Sequence, residues 1–328
     1  MKQLLQPNGA ILETAATTKK RNIFLQILIG ILVFFIGQFI SSFFLTIIVM
    51  VYLFRDPKFL AGAESGSLDS VYASLTQELS ELMNLFSLFT TLIPIIVVLV
   101  YCRWIEKRRF VTLGFVRKGA ITEYLIGLGV GFLLFASAYG MMLLSGEVTL
   151  VGFNPQASMG MLALFFLGFL IQGASEEILV RSYFFVSTSV STNVTLGILL
   201  SSGLFAALHL GNPGMSIPAF VNLFLFGVFA ALYFLRRGSI WGICAIHTIW
   251  NFAQGNIFGC KVSGMNMGSS LLLTTEQGGT LWSGGAFGPE GGIGVTIALT
   301  AGILILAFMK NKPVEGFILK KEEESTQA

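Results

Sequence analysis

The sequence predicts an all-α, polytopic integral membrane helix bundle of about eight transmembrane helices, and three observations lead there. Of 328 residues, 54% are apolar and only 11% are charged, with a mean hydropathy of +0.80. A water-soluble domain keeps about a quarter of its residues charged to wet its surface, so too little polar area is present to cover a soluble globule of this size. The apolar residues gather into runs of the length that crosses ~30 Å of hydrocarbon at ~1.5 Å per residue. No run alternates apolar with polar as a barrel strand does, and in lipid only helices and closed barrels satisfy their own backbone.

Residues 1–22 form a cytoplasmic N-terminal segment that ends on Lys19, Lys20 and Arg21. It lacks the short apolar core and small-residue cleavage site of a signal peptide. The bundle then occupies 23–312. Its candidate spans lie near 24–53, 86–102, 121–145, 159–181, 193–210, 217–235, 239–257 and 293–309. The first is long enough to tilt or protrude. Lysine and arginine are retained on the cytoplasmic side of spans. With eight spans and a cytoplasmic N-terminus, the later clusters fall on that same side: Arg103, Lys107, Arg108, Arg109, Arg117 and Lys118, then Arg236 and Arg237, then Lys310 and Lys312. Glu64, Asp69, Glu78, Glu81, Glu276 and Glu290 fall on the other. The net charge of +3 therefore reports topology in a multi-pass cell-membrane protein with both termini cytoplasmic, and nucleic acid is not an expected partner. Residues 258–292 are Gly-rich and predict an outer loop or re-entrant segment. The tail 313–328, with Lys320, Lys321 and three glutamates together, predicts a solvated cytoplasmic end.

Ionisable side chains at mid-bilayer cost a few kcal/mol, so those that are present point to function. The fourth span carries Ser175-Glu176-Glu177-Ile178-Leu179-Val180-Arg181. Glu177 and Arg181 share a helix face and can pair, while Glu176 lies about 100° around the helix and is left free. The fifth span carries Phe205 and His209, and the seventh carries His247 and Asn251, each pair four residues apart. These are the only two histidines in the chain. Taken singly, an ion pair or a lone intramembrane His or Asn serves equally well as structure or helix–helix glue, worth ~0.6–2 kcal/mol. Taken together, on three neighbouring spans in the core region 159–257, they predict one shared polar site.

The residue set offers a base and proton carriers, but no activated nucleophile. It contains no His-Glu-x-x-His, no Gly-x-Ser-x-Gly and no phosphate loop, and the three cysteines have no disulfide-scaffold spacing. What remains is hydrolysis by activated water. One route uses Glu176 as base, with an imidazole assisting and a second imidazole and an amide donating to the oxyanion. The other uses a divalent metal such as zinc, held by Glu176, His209 and His247 with one position open.

The motifs Glu176-Glu177-x-x-x-Arg181, Phe205-x-x-x-His209 and His247-x-x-x-Asn251 resemble, complete and in order, those of the CAAX protease and bacteriocin-processing family, also called Abi proteins. The strict likeness covers about residues 170–255, and a softer one reaches Thr112-Leu113-Gly114-Phe115 and the stretch from Gly284 to Gly291, suggestive of a bacterial branch. The resemblance implies an intramembrane endopeptidase, glutamate- or metal-dependent, with Glu176 activating water beside His209. It implies that His247 and Asn251 stabilise the oxyanion, and that Glu177 and Arg181 orient the site together with Phe205. The implied partners are membrane lipid and a peptide or protein substrate within the membrane. For a bacterial member, the implied setting is bacteriocin processing or self-immunity. The rivals are a non-enzymatic membrane immunity or scaffold protein and a proton-coupled transporter. The transporter ranks last, because the polar residues concentrate in spans four to seven instead of repeating in both halves. A single site also requires the fourth helix to run on through Tyr183-Phe184-Phe185-Val186, bringing Glu176 within about 12 Å of His209.

Overall fold

The computed structural model describes residues 5–55, 57, 60, 77–312 and 317. Glu64, Asp69, the side chain of Glu78 and all of 313–328 except Phe317 lie outside the described residues. The helices are α1 (Gly9–Thr17), α2 (Ile23–Leu53), α3 (Ser80–Ile105), α4 (Ala120–Ser145), α5 (Met159–Ser191), α6 (Val194–Leu208), α7 (Ile217–Arg237), α8 (Ile240–Phe252) and α9 (Ile293–Phe308). Each expected span falls on a helix. Five of them, α2, α3, α4, α5 and α7, are long and apolar enough to cross a membrane, while α6 and α9 are apolar but shorter. Length and composition thus support a multi-pass bundle without establishing eight crossings.

Helix α8 is the central element. Its residues Ile240, Ile243, Ala245 and Ile246 are fully buried, and it packs against both α4 and α5. Around it, α7 packs on α6 and α9, and α9 also meets α4. Helix α2 is peripheral: its buried residues Gln26, Gly30, Val33, Gly37 and Ser41 recur every three or four positions, making one stripe. The opposite face, including Phe24 and Phe39, is exposed and available to lipid. Pro94 in α3 has no N–H, so the carbonyl of Thr90 loses its helical donor and accepts from Ser41 Oγ at 3.0 Å. Gly37 faces Pro94 at this crossing, and a Cβ there would meet Pro94 Cα at 3.1 Å. A sequence-forced kink thus fixes how α2 sits on α3.

The basic clusters meet at one end of the bundle. Arg21 pairs with Glu106, Arg109 with Glu13 at 2.6 Å, and Arg237 and Lys312 with Glu123 at 2.7 and 2.6 Å. At the other end lies a feature that composition did not suggest. Strand β1 (Val148–Phe153) pairs antiparallel with β2 (Leu272–Glu276), from Val148 opposite Glu276 to Phe153 opposite Leu272. The Gly-rich segment is therefore partly a strand, sewn onto the loop after α4. Both termini carry residues packed on the bundle. Residues 9–17 of the N-terminal segment are helical, capped by Asn8, with Ala10 and Ile11 buried against the end of α5. Phe317, in the tail expected to be solvated, is buried, and its ring faces Gly9. Both ends carry apolar side chains that find a pocket on the bundle.

Candidate active site

Helix α5 does run on through Val186, to Ser191. Just after the two carboxylates, over Ile178–Phe185, it widens into a π-type stretch, a form often found at functional sites. Gly173 allows α8 to approach α5, since a Cβ there would lie 2.9 Å from Thr248 N. The two helices are further tied by Thr248 Oγ1 donating to Phe169 O at 3.2 Å. This crossing sets His247 beside Glu176 and Glu177.

The two adjacent carboxylates enter different surroundings. Glu177 is fully buried; its Oε2 lies 3.1 Å from Arg181 Nε and its Oε1 2.9 Å from His247 Nδ1. The Arg181 guanidinium also lies 4.4 Å from the centroid of the Phe205 ring, a cation–π contact between two buried side chains. Glu176 points instead into the cavity, with its side chain 31% exposed. It is not wholly free, because Oε1 accepts from Gln172 Nε2 at 2.6 Å. Oε2 has no hydrogen-bond partner, and it faces His209 Nε2 at 3.9 Å and His247 Nε2 at 3.7 Å. The single-site requirement of about 12 Å is met with a wide margin.

The tautomers follow from the partners. His209 Nδ1 lies 2.8 Å from the carbonyl of Phe205, which can only accept, so Nδ1 carries the proton. His247 Nδ1 likewise donates to the Glu177 carboxylate. In their neutral forms both rings therefore turn an Nε2 lone pair toward Glu176 Oε2. Asn251 donates from Nδ2 to Gln172 Oε1 at 3.1 Å, completing a line from Asn251 through Gln172 to Glu176. Gln172 was not singled out from the sequence. Its signal is an amide four residues before Glu176, in a helix whose preceding residues from Met159 to Ile171 carry no other polar side chain.

The donors have the right chemistry for zinc, with two imidazole nitrogens and a carboxylate oxygen converging and both Nδ1 protons held by acceptors, as in metal sites. As placed, however, no three His, Cys, Asp or Glu side chains among the described residues form a set that could hold a metal ion.

These groups line a cavity of about 360 Å³. Beside the motif residues, its wall includes hydroxyl and amide side chains of α2 and α3, among them Ser42 and Ser87, and the loop residues Ser263, Met265 and Glu290. Glu290 was expected only as an acidic residue outside the membrane. It is 7% exposed, and burial raises its carboxyl above the ordinary range despite hydrogen bonds from Ser263 and Gln254.

A family model described as type II CAAX prenyl endopeptidase Rce1-like matches residues 158–253, which hold the whole motif set. No curated protein and no solved structure matches the chain.

Proposed function

We propose, from the match of residues 158–253 to the Rce1-like CAAX prenyl endopeptidase model, that the chain is an intramembrane endopeptidase, hydrolysing a peptide bond of a membrane-associated peptide or protein. The observation that carries this reading is the meeting of three atoms, Glu176 Oε2, His209 Nε2 and His247 Nε2, with Oε2 unpartnered in the wall of a cavity. A water held between them donates one proton to Glu176 Oε2 and a second hydrogen bond to a ring nitrogen, leaving its oxygen lone pair for the carbonyl carbon. The tetrahedral oxyanion then needs donors. Asn251 and a protonated His247 supply them, the latter stabilised by Glu177 across its Nδ1–H bond. Glu176 returns its proton to the departing amine, which closes the cycle with one water consumed.

In this reading Glu177, Arg181 and Phe205 are positioning residues, each fixing the next, and Gln172 joins them by holding Glu176 Oε1. The basic end faces the cytoplasm, with both termini. Processing of peptide bacteriocins, or immunity toward them, is the physiological setting suggested by the family likeness, and a neighbouring gene for a short double-glycine peptide would favour it. The activity test is cleavage of membrane-inserted peptides by the purified protein in proteoliposomes. Glu176→Gln keeps the shape and the Gln172 contact but removes the base, so cleavage should fall by ~10³-fold or more. Wild-type cleavage by this variant would refute the role of Glu176. A parallel arm with a zinc chelator should leave wild-type activity intact, and inhibition reversed by added zinc would establish the metal route instead.

A further inference from the structure

Glu290 is the second carboxylate in the wall of the reaction cavity, and it lies beyond the segment matched by the family model. Its surroundings are built with care. Ser263 takes a backbone φ of +47°, unfavourable for a residue with a side chain, and in that conformation its N–H donates to Glu290 Oε2 at 2.6 Å. Gln254 Nε2 donates to the same oxygen at 3.0 Å. Oε1 has only a share in the Ser263 hydroxyl, at 3.1 Å, and so keeps acceptor capacity. Asn222, itself buried, donates to the carbonyls of Glu290 and Gly292 at 2.8 and 2.9 Å and fixes the backbone that presents the carboxylate. Neutral donors satisfy its hydrogen bonds, yet no Lys or Arg among the described residues lines the cavity. Lys261, the cation of the same Gly-rich segment, turns to Glu276 at 3.4 Å. The imidazole of His209 would balance this carboxylate if charged, but in the hydrolytic cycle that ring is neutral and accepts from the water, so the buried carboxylate lacks a full counter-charge and an arriving cation supplies one.

We propose that Glu290 is a specificity-determining residue, and that the cavity takes a peptide segment carrying a lysine or arginine side chain, cut internally, in preference to one ending in a free carboxylate. This deepens the endopeptidase reading and rests on it. A chain-terminal carboxylate lying a few residues from the scissile bond would meet Glu176 and Glu290, and no Lys or Arg of the cavity lining to receive it. A lysine ammonium would instead take the open lone pairs of Oε1 while the adjoining backbone passes Glu176.

Binding and cleavage are separated by using the inert Glu176→Gln protein, full-length and in proteoliposomes. The probes are three amphipathic peptides identical except for one position, occupied by lysine, norleucine or glutamate, all with amidated C-termini, and a fourth of the norleucine sequence with a free C-terminal carboxylate. The lysine peptide should bind about tenfold or more tighter than the norleucine peptide, and the glutamate and free-carboxylate peptides more weakly still. Adding Glu290→Gln, which keeps the side-chain shape, should erase the lysine advantage and leave norleucine binding unchanged. The proposal is overturned if wild-type Glu290 gives no lysine preference, if the preference survives Glu290→Gln, or if the free-carboxylate peptide binds best. Should Glu290→Gln unfold, the peptide ranking on the parent protein still decides. If the protein with its native Glu176 cleaves none of the four peptides while the binding ranking holds, the proteolytic reading fails and the specificity stands.

Discussion

The pairing of Glu177 with Arg181 offers the sharpest test of how the site is held. Both side chains are fully buried, with Nε and Oε2 3.1 Å apart. Arg181→Met removes the guanidinium and leaves a carboxylate in the interior with only the His247 ring as partner. Breaking a buried pair in this way costs about 3–5 kcal/mol. Loss of the contact with the Phe205 face adds ~0.5–2 kcal/mol. Adding Glu177→Gln removes the stranded charge while its amide oxygen still accepts the His247 Nδ1–H bond. Most of the lost stability should therefore return, giving a coupling of ~2–4 kcal/mol, where an exposed pair would give ~0–1. Unfolding of the single and double variants in detergent, followed by fluorescence of the 4 tryptophans, measures it. Activity should not recover in parallel. The double variant holds His247 in place but no longer stabilises its protonated form, so peptide cleavage should remain down by about 10–10²-fold. Additivity of the two substitutions to within about 0.5 kcal/mol would refute the buried pair.

Gln172→Leu removes the donor to Glu176 Oε1 and the acceptor for Asn251 at once. Its kcat should fall by ~10–10²-fold with KM little changed, and Gln172→Glu should not rescue it, because a second carboxylate repels the first. Glu147 gives a pH readout outside the spans. Burial tends to raise its carboxyl, but the amides of Ser283 and Trp282, each 2.9 Å away, outweigh burial and hold it below the ordinary value of 4.5. A depressed folded-state value means its contribution is fully present above pH ~4.5 and is lost as the pH falls through the lower value. Hydrogen exchange at 282 and 283, corrected for intrinsic rate, should therefore speed up on acidification below that point, and Glu147→Gln should flatten the response.

Much of this was legible in the sequence because it depends on local rules. Apolar runs located the helices, and four-residue spacings put Glu177 on Arg181 and Phe205 on His209; Gln172 stands at the same spacing before Glu176 and was missed. What escaped depends on partners remote in the chain. The nine residues of α1 make no long apolar run, and their helix is held by Arg109 on Glu13 and by Phe234, whose carbonyl accepts from Asn8 at 3.2 Å. Strand β2 is short and borders glycines, and only pairing with β1, more than a hundred residues earlier, makes it a strand. Glu290 read as an outer acid because nothing near it in sequence shows that Ser263, Gln254 and Asn222 build it into the cavity wall.

Two carboxylates adjacent in sequence do opposite work because a helix turns about 100° per residue. At Glu177 the turn meets α8 and the guanidinium one turn on, so burial is offset by an ion pair and an imidazole, and the charge is fixed in place. At Glu176 the same turn meets the cavity, where only one oxygen is held and the other waits within 4 Å of two ring nitrogens. Exchanging the roles would need a different helix face toward α8, so the order Glu-Glu is set by geometry. The cavity into which Glu176 points, however, is completed by α2, α3 and the Gly-rich loop, all outside the matched segment. Hydrolysis can therefore be common to chains that share residues 158–253 while the peptide admitted is decided elsewhere, and Glu290 is where this chain makes that decision.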